Sequence, residues 1–271
     1  MNIYEKLDRL KSNIGSLQRV AVAFSGGVDS AFLLKVAVDV LGNDVVAITA
    51  HSSINPEREL NEAIDFAKLY KVRQRVIVSE ELEVEGFSDN PVNRCYICKK
   101  ELYNKIKEIA KEEGAKNILE GSNYDDLGDF RPGMQAVSEH GIISPLRDAL
   151  MTKDEIRLLS KEMGLKTWNK QAFACLASRF PYGERITKER LQMIDRAEQL
   201  LLDLGFSQVR VRFHKDIARI EVSQEQFEKM LDKEMRERIY KKFKDIGFMY
   251  TALDLKGYRT GSLNEVLNKS E

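Results

Sequence analysis

The chain has 271 residues, of which 43% are hydrophobic and 32% charged, as is typical of a soluble globular protein. Its 43 basic and 43 acidic side chains cancel, so the chain as a whole carries no basic field for nucleic acid. No apolar run approaches the roughly 20 residues of a membrane span, and the first residues lack the order of a signal peptide. We therefore expect a cytoplasmic protein without a membrane partner, whose three cysteines do not form structural disulfides.

An apolar strand followed by a polar turn is the most informative local pattern. Residues 19–24 predict a short buried strand, and residues 31–41 have helical spacing that ends at Gly42. The Ser-Gly-Gly-Val-Asp-Ser sequence of residues 25–30, which we call the phosphate turn, joins them. Backbone N–H groups at the start of such a helix form an anion site, which the helix dipole strengthens.

Each polar or small residue of the phosphate turn has an expected role. Gly26 and Gly27 allow the backbone to approach a phosphate closely, and Ser25 and Ser30 add hydroxyl donors. Asp29 is expected to hold a Mg²⁺ ion that the phosphates share. An ordinary glycine turn is the alternative. The whole string, however, resembles the pyrophosphate loop of the ATP pyrophosphatases, which cut ATP between the α and β phosphates, and it lacks the end of a Walker loop.

Strands and helices alternate through the rest of the N-terminal half. Further strands are predicted at residues 45–50, 73–79, 117–120 and 142–146, and helices at residues 1–17, 56–70, 98–113 and 152–163. This order predicts an α/β fold, a doubly wound parallel sheet. Ligands of such sheets bind beyond the carboxyl ends of the strands.

Polar residues follow two of these strands. His51 and Ser53 come after the second strand and are expected to line the adenine and ribose side, although His51 is equally compatible with a loop histidine without a role. In the loop after the fourth strand, Asp126 is a candidate for Mg²⁺ or a substrate cation and Arg131 for an anion. A flexible acidic loop is the alternative interpretation of that segment.

The three cysteines allow several chemistries. Cys95-Tyr-Ile-Cys98 precedes a predicted helix and suits a redox dithiol, half a zinc site or part of an iron–sulfur site. Only Cys175 and three histidines remain to complete a zinc site, whereas three cysteines suit a 4Fe-4S cluster with one open iron. Three unrelated buried thiols are the alternative. Ser178 and Arg179 follow Cys175 and form a predicted anion-binding pair.

The C-terminal part changes pattern, so we place a domain boundary between residues 1–180 and 181–271. A helix at 187–204, a hairpin at 208–222, a helix at 224–246 and a strand at 250–255 predict a small α+β layer. One hairpin face is apolar. The opposite face carries charged residues, which fits a phosphate-binding face or a solvated one. Its members include Arg210, Arg212 and Glu221, and Glu198 borders the apolar stripe of the preceding helix.

Three segments, in this order, resemble the LarE family of ATP-dependent sulfur transferases. They are the phosphate turn, the Gly-Ser-Asn-Tyr-Asp-Asp…Arg-Pro-Gly loop of residues 121–133, and Ala-Cys-Leu-Ala-Ser-Arg-Phe-Pro-Tyr-Gly at residues 174–183. The resemblance covers nearly the whole chain. It implies that ATP adenylates a carboxylate of pyridinium-3,5-biscarboxylic acid mononucleotide with release of pyrophosphate. Sulfur then replaces AMP and gives a thiocarboxylate for the nickel-pincer cofactor of lactate racemase.

The resemblance also implies roles for individual residues. Family members with one cysteine, at the position of Cys175, give up that sulfur, whereas this chain resembles the three-cysteine branch. Cys95, Cys98 and Cys175 would then hold a 4Fe-4S cluster that turns over with sulfide or another sulfur donor. By the same resemblance, Glu198, Arg210, Arg212 and Glu221 fall where members bind metal and phosphate, and the protein forms a ring-like homo-oligomer.

Two other functions are compatible with parts of the sequence. A tRNA thiolation enzyme also combines a pyrophosphate loop with three cysteines, but it needs a basic surface for RNA, which a neutral chain does not suggest. A nucleotide-binding module without sulfur chemistry would leave the cysteines as buried thiols.

Overall fold

The computed structural model describes residues 1–128, 133–171, 174–259 and 261–269. Contacts divide the chain into two compact units. The N-terminal unit comprises Met1–Val84 and Asn93–Phe173, and the C-terminal unit comprises Glu85–Val92 and Ala174–Glu271. The division differs from the expected boundary at residue 180, because the segment that carries Cys175 and an excursion at residues 85–92 pack with the C-terminal unit.

A four-stranded parallel sheet forms the centre of the N-terminal unit, with strand order β3-β2-β1-β4. Its strands are β1 (Val20–Ala23), β2 (Val45–His51), β3 (Arg73–Val78) and β4 (Asn117–Leu119). In register, Val20 of β1 lies between Val45 of β2 and Asn117 of β4. The predicted strand at 142–146 is too long, since Ile143 makes only an isolated parallel bridge to Leu119.

Helices cover both faces of this sheet, as predicted for a doubly wound fold. Val20 and Val22 of β1 join one buried cluster with Phe32 and Leu33. Ala21 joins a separate buried cluster with Tyr103 and Ile106, which come after β3 in the chain. The alternation arises because successive strand residues point to opposite faces. The helices are α1 (Ile3–Gly15), α2 (Val28–Leu41), α3 (Glu57–Leu69), α4 (Arg94–Glu112), α5 (Gly133–Glu139), α6 (Pro145–Asp148) and α7 (Lys153–Glu162).

The start of α4 corrects one expectation. The helix begins at Arg94, so Cys95 and Cys98 are its second and fifth residues and do not precede it. At α7 the predicted capping box is confirmed, because the Thr152 side chain accepts from the Glu155 backbone N–H and Glu155 accepts from the Thr152 backbone. Among the described residues, no helix has the length and apolar character needed to cross a membrane.

The C-terminal unit contains a three-stranded sheet of order β5-β6-β7. Strands β5 and β6 pair antiparallel, and β7 adds to β6 in parallel. The predicted helix at 224–246 is interrupted, since Asp232 separates two helices and its side chain accepts from the Met235 N–H as an N-cap. The elements are α8 (Lys188–Asp203), β5 (Val209–His214), β6 (Ile217–Val222), α9 (Phe227–Leu231), α10 (Lys233–Ile246) and β7 (Tyr250–Leu253).

Candidate active site

The phosphate turn lies where β1 ends and α2 begins. Gly26 has a φ of +73°, a left-handed conformation that favours glycine, and Gly27 is the N-cap of α2. The hydroxyl oxygens of Ser25 and Ser30 are 3.1 Å apart, and Ser30 also donates to the Gly27 carbonyl at 3.2 Å. The local geometry is therefore that of an anion site, a glycine turn whose following helix directs N–H groups towards it.

Close backbone packing at the turn depends on a glycine that sequence reasoning did not single out. A Cβ on Gly121, just after β4, would lie 3.0 Å from the backbone nitrogen of Ser30 and 3.2 Å from its Cα. Backbone atoms in a helix cannot move aside cheaply. Gly121 thus lets the loop after β4 contact the first turn of α2.

Asp29 has a cationic partner that could not be predicted from the sequence. Its carboxylate accepts from Lys153 Nζ at 2.5 Å and from Asn123 Nδ2 at 3.4 Å. Lys153 is the first residue of α7, and its own backbone N–H donates to Asp125 at 2.7 Å. The capping box at Thr152 predicts where α7 begins, but it does not predict that Lys153 contacts Asp29. The structure therefore brings Asp29, the loop after β4 and α7 together.

The other predicted residues around the sheet have local partners. Asp126 is buried and accepts from the Asn123 backbone N–H at 3.0 Å, so it shapes the loop that carries it. The predicted site residue Arg131 lies outside the described residues. The side chain of His51 is exposed, while the Ser53 hydroxyl donates to Glu80 at 3.2 Å.

A buried carboxylate near the same edge was missed by sequence analysis. Glu81 is only 2% exposed and accepts from the hydroxyls of Ser52 and Ser79. These hydroxyls satisfy the carboxylate that burial would otherwise penalise. The cluster joins the segments that follow β2 and β3, so it fixes the loop on which Ser53 lies.

Cys95 and Cys98 share one face of α4, because they are three residues apart within the helix. Cys95 is exposed and Cys98 is half-buried. The positive end of a helix dipole favours the thiolate form that binds metals. No group of three or more His, Cys, Asp or Glu side chains within the described residues is arranged to hold a metal ion.

Arg179 organises the backbone around Cys175 in the C-terminal unit. Its Nη1 donates to the Ala174 carbonyl at 2.9 Å, to the Cys175 carbonyl at 3.2 Å and to the Ser178 hydroxyl at 2.7 Å. Its Nε and Nη2 reach the two carboxylate oxygens of Glu198 at 2.7 and 2.9 Å. The expected anion-binding pair of Ser178 and Arg179 is thus used differently, since the fully buried guanidinium is occupied by protein acceptors.

Glu198 is fully buried on α8 and is held as an anion. Burial by itself would raise its pKa, but Arg179, Arg210 and the Val211 N–H lower the pKa below its ordinary value. Because Arg179 takes both carboxylate oxygens, a guanidinium occupies the place where the sequence suggested a metal ion.

Three charged residues of the β5–β6 hairpin are buried, so a solvated face does not describe these positions. Arg210 is 4%, Arg212 7% and Glu221 0% exposed. Arg212 donates to both oxygens of Glu221 at 3.0 and 2.9 Å, so this glutamate also has an arginine where a metal was suggested. Burial and the nearby Arg179 lower the pKa of Arg210 to about 10. The hairpin therefore carries an excess of buried positive charge.

The predicted site residues form a group in each unit. The N-terminal unit holds the phosphate turn, the loop after β4 and the cysteine pair of α4. The C-terminal unit holds Cys175 on its arginine clamp and the buried arginine–glutamate face. The first group has the geometry to bind nucleotide phosphates and the second has a thiol beside concentrated positive charge.

Comparison with known proteins identifies the family. A family model described as NAD synthase matches residues 3–91, the region of the phosphate turn. An uncharacterized protein of Synechocystis sp. is 44% identical over 97% of this chain and 98% of its own length. An uncharacterized protein of Methanocaldococcus jannaschii is 31% identical over 96% of this chain and 100% of its own length.

A further similar protein carries a functional name and matches nearly the whole chain. The pyridinium-3,5-bisthiocarboxylic acid mononucleotide synthase of Lactiplantibacillus plantarum is 38% identical over 97% of this chain and 95% of that protein. A match over 97% of this chain includes residues of both structural units. The resemblance found in the three sequence segments is confirmed, and the chain belongs to the LarE family of pyridinium-3,5-bisthiocarboxylic acid mononucleotide synthases.

Proposed function

We propose that this chain is an ATP-dependent sulfur transferase that converts carboxylates of pyridinium-3,5-biscarboxylic acid mononucleotide to thiocarboxylates. ATP adenylates the carboxylate with release of pyrophosphate, and a sulfur nucleophile then expels AMP. The observation that carries the proposal is the phosphate turn at the start of α2, in a chain that matches a synthase of the thiolated product over 97% of its length. The product serves biosynthesis of the nickel-pincer cofactor.

The phosphate turn would bind the pyrophosphate end of ATP. Ser25, Gly26, Gly27 and Ser30 surround the start of α2, where N–H groups and hydroxyls stabilise negative charge. Asp29 is the candidate for Mg²⁺, and its carboxylate pairs with a cation, the Lys153 ammonium group. Metal binding would then release the Lys153 ammonium towards the phosphates.

The buried arginines of the C-terminal unit support binding of the mononucleotide phosphate. Arg179 and Arg212 are each paired with a glutamate, and Arg210 is a further buried arginine whose pKa is lowered by burial and by the nearby Arg179. Arginine forms strong charge-assisted hydrogen bonds with phosphate. We therefore propose Arg210 and Arg212 as its ligands.

We propose Cys175 as the residue that delivers or receives sulfur. Its carbonyl is held by both Arg179 and the Ser178 hydroxyl, so the turn that presents the thiol is fixed. Cys95 and Cys98 add two thiols on one helix face, and this donor set matches the three thiolates of a 4Fe-4S cluster with one open iron. Such a cluster, when bound, supplies an iron site for sulfide from a sulfur donor.

The reaction is tested with purified protein, MgATP, the pyridinium biscarboxylate mononucleotide and sulfide under anaerobic conditions. We expect pyrophosphate release that depends on the mononucleotide, and a product whose mass shows exchange of oxygen for sulfur. Pyrophosphate release with tRNA and not with the mononucleotide would instead indicate tRNA thiolation. The absence of ATP turnover with either substrate would leave a nucleotide-binding module.

The cluster, the assembly and the location have separate tests. Iron and acid-labile sulfide should be present after anaerobic purification and fall in Cys95→Ala and Cys98→Ala, while full zinc occupancy would refute the cluster. We also propose a homo-oligomer, to be checked by light scattering. A cytoplasmic location follows from the need for ATP and reduced thiols and is checked by cell fractionation.

A further inference from the structure

We propose that Lys170 is a positioning residue that fixes the phosphate turn from behind. Lys170 immediately follows the short 3-10 segment Lys166–Asn169, far along the chain from the turn. Its Nζ donates to the Gly26 carbonyl at 3.1 Å and pairs with Glu59 at 2.7 Å and Glu62 at 2.5 Å. The contact to the Gly26 carbonyl is a hydrogen bond, and the contacts to the two carboxylates are ion pairs.

Burial makes this contact more than a surface ion pair. The side chain of Lys170 is 11% exposed and that of Glu59 is 13% exposed, so this ion pair is poorly screened by solvent, whereas the Glu62 side chain is 56% exposed and its charge is open to screening by salt. The backbone of Lys170 is itself anchored, because Arg157 Nη2 donates to its carbonyl at 2.8 Å and Arg157 Nη1 donates to the Trp168 carbonyl at 2.7 Å. Lys170 is therefore held from α7 through its backbone and from α3 through its ammonium group.

The contact orients a peptide of the phosphate turn. A trans peptide directs its carbonyl oxygen and N–H to opposite sides. Because the Gly26 carbonyl points to Lys170, the N–H of Gly27 points away from it, towards Ser25 Oγ at 3.4 Å. That side of the turn carries the Ser25 and Ser30 hydroxyls. Lys170 thereby directs an N–H donor to the side where a phosphate would bind.

Charge provides a second reason for the lysine. Without Lys170, the Glu59 and Glu62 carboxylates would stand behind an anion-binding turn without their cation. Their field would repel phosphate. A bulge of the turn towards α3 is blocked as well, since a Cβ at Gly26 would already lie 3.1 Å from the Ala63 Cβ. The turn is thus confined by packing and oriented by one ammonium group.

This inference rests on the proposed binding of ATP at the turn. The test compares Lys170→Met with Lys166→Met, which removes an exposed lysine from the same short segment. We expect Lys170→Met to weaken ATP binding, measured by calorimetry with Mg²⁺, by about tenfold or more, the loss of a charge-assisted hydrogen bond. Lys166→Met should bind as the wild type does.

Salt separates orientation from charge. The loss of ATP affinity that is due to repulsion by Glu59 and Glu62 should become smaller at high ionic strength and in the double variant Lys170→Met/Glu62→Gln. The loss that is due to a misoriented N–H of Gly27 should remain in both cases. Lys170→Gln keeps an N–H donor without the charge, and we expect a smaller loss than in Lys170→Met. If circular dichroism shows that Lys170→Met does not fold, Lys170→Gln replaces it in the binding measurement.

The outcomes distinguish the two proposals. If the wild type binds ATP and the Lys170 variants bind it as tightly as Lys166→Met, the positioning role is refuted and the proposed function stands. If the wild type does not bind ATP, the proposed function fails and the positioning role fails with it. A KM for ATP that rises while kcat stays constant would show that orientation serves binding alone.

Discussion

The ion pair between Arg179 and Glu198 is the contact on which we expect the C-terminal unit to depend most. Both side chains have no exposed surface, and their two charge-assisted hydrogen bonds are 2.7 and 2.9 Å long. In Glu198→Gln, Arg179 loses its counter-ion, and an amide group replaces one of the two acceptors. Removing one partner of a buried pair costs about 3–5 kcal/mol.

Hydrogen exchange of the β5 amides measures this loss locally. The Val211 N–H donates to Glu198 at 2.9 Å, so β5 is in direct contact with the changed residue. A loss of about 3–5 kcal/mol corresponds to exchange that is roughly two to four powers of ten faster. Glu184→Gln is the matched control, because its 3.4 Å pair with Arg190 is partly exposed and should contribute no more than about 1 kcal/mol.

The pH dependence gives an independent check of the same pair. The lowered pKa of Glu198 means that its contribution is fully present above the unfolded carboxyl pKa of about 4.3. It is lost as the pH falls through the lower folded pKa. The difference in protection between wild type and Glu198→Gln should therefore be constant at neutral pH and disappear only in acid.

Two results would contradict this reasoning. Protection of β5 in Glu198→Gln equal to that in Glu184→Gln would show that the buried pair contributes no more than an exposed one. A difference between wild type and Glu198→Gln that disappears near neutral pH would show that Glu198 is not held as an anion.

Three further variants test the candidate site through pyrophosphate release and product mass. Gly121→Ala should lower kcat/KM for ATP by the equivalent of about 1–3 kcal/mol, because the new Cβ would lie 3.0 Å from the backbone nitrogen of Ser30. Gly15→Ala is the control and should have no effect, because its Cβ would only contact a side chain at 3.4 Å. Cys175→Ala should abolish thiocarboxylate formation but retain pyrophosphate release, and loss of both would show that its role is structural. Asp29→Ala should slow pyrophosphate release by about 100-fold at saturating Mg²⁺, and full activity would exclude it as the metal ligand.

The doubly wound sheet could be predicted from sequence because its signals are local. The apolar residues of β1, the helical spacing of α2 and the capping box at Thr152 each act within a few residues. Errors occurred where the local signal was ambiguous. Helix α4 begins at Arg94, before the expected start at Cys98, and Asp232 interrupts a helix whose pattern looks continuous on both sides.

Charge on the β5–β6 hairpin shows the limit of periodicity. Alternation placed Arg210 and Arg212 on the face opposite the valines, as a solvated or ligand-binding surface would require. Both faces are covered, so the arginines are buried with Glu221. Periodicity reports which residues share a face, but it does not report what packs on that face.

The sequence by itself determined the phosphate turn, the parallel direction of the strands that follows from βα alternation, and which three residues carry thiols. The phosphate turn and the strands depend on residues close together in the chain. The thiols are given by residue type alone, which does not depend on the fold. Only the tertiary structure decided that Lys153 meets Asp29, that Lys170 holds the Gly26 carbonyl and that Gly121 contacts Ser30. The partners of the first two pairs are 124 and 144 residues apart, and only the packing of α7 and the segment that follows it beside the turn brings them together.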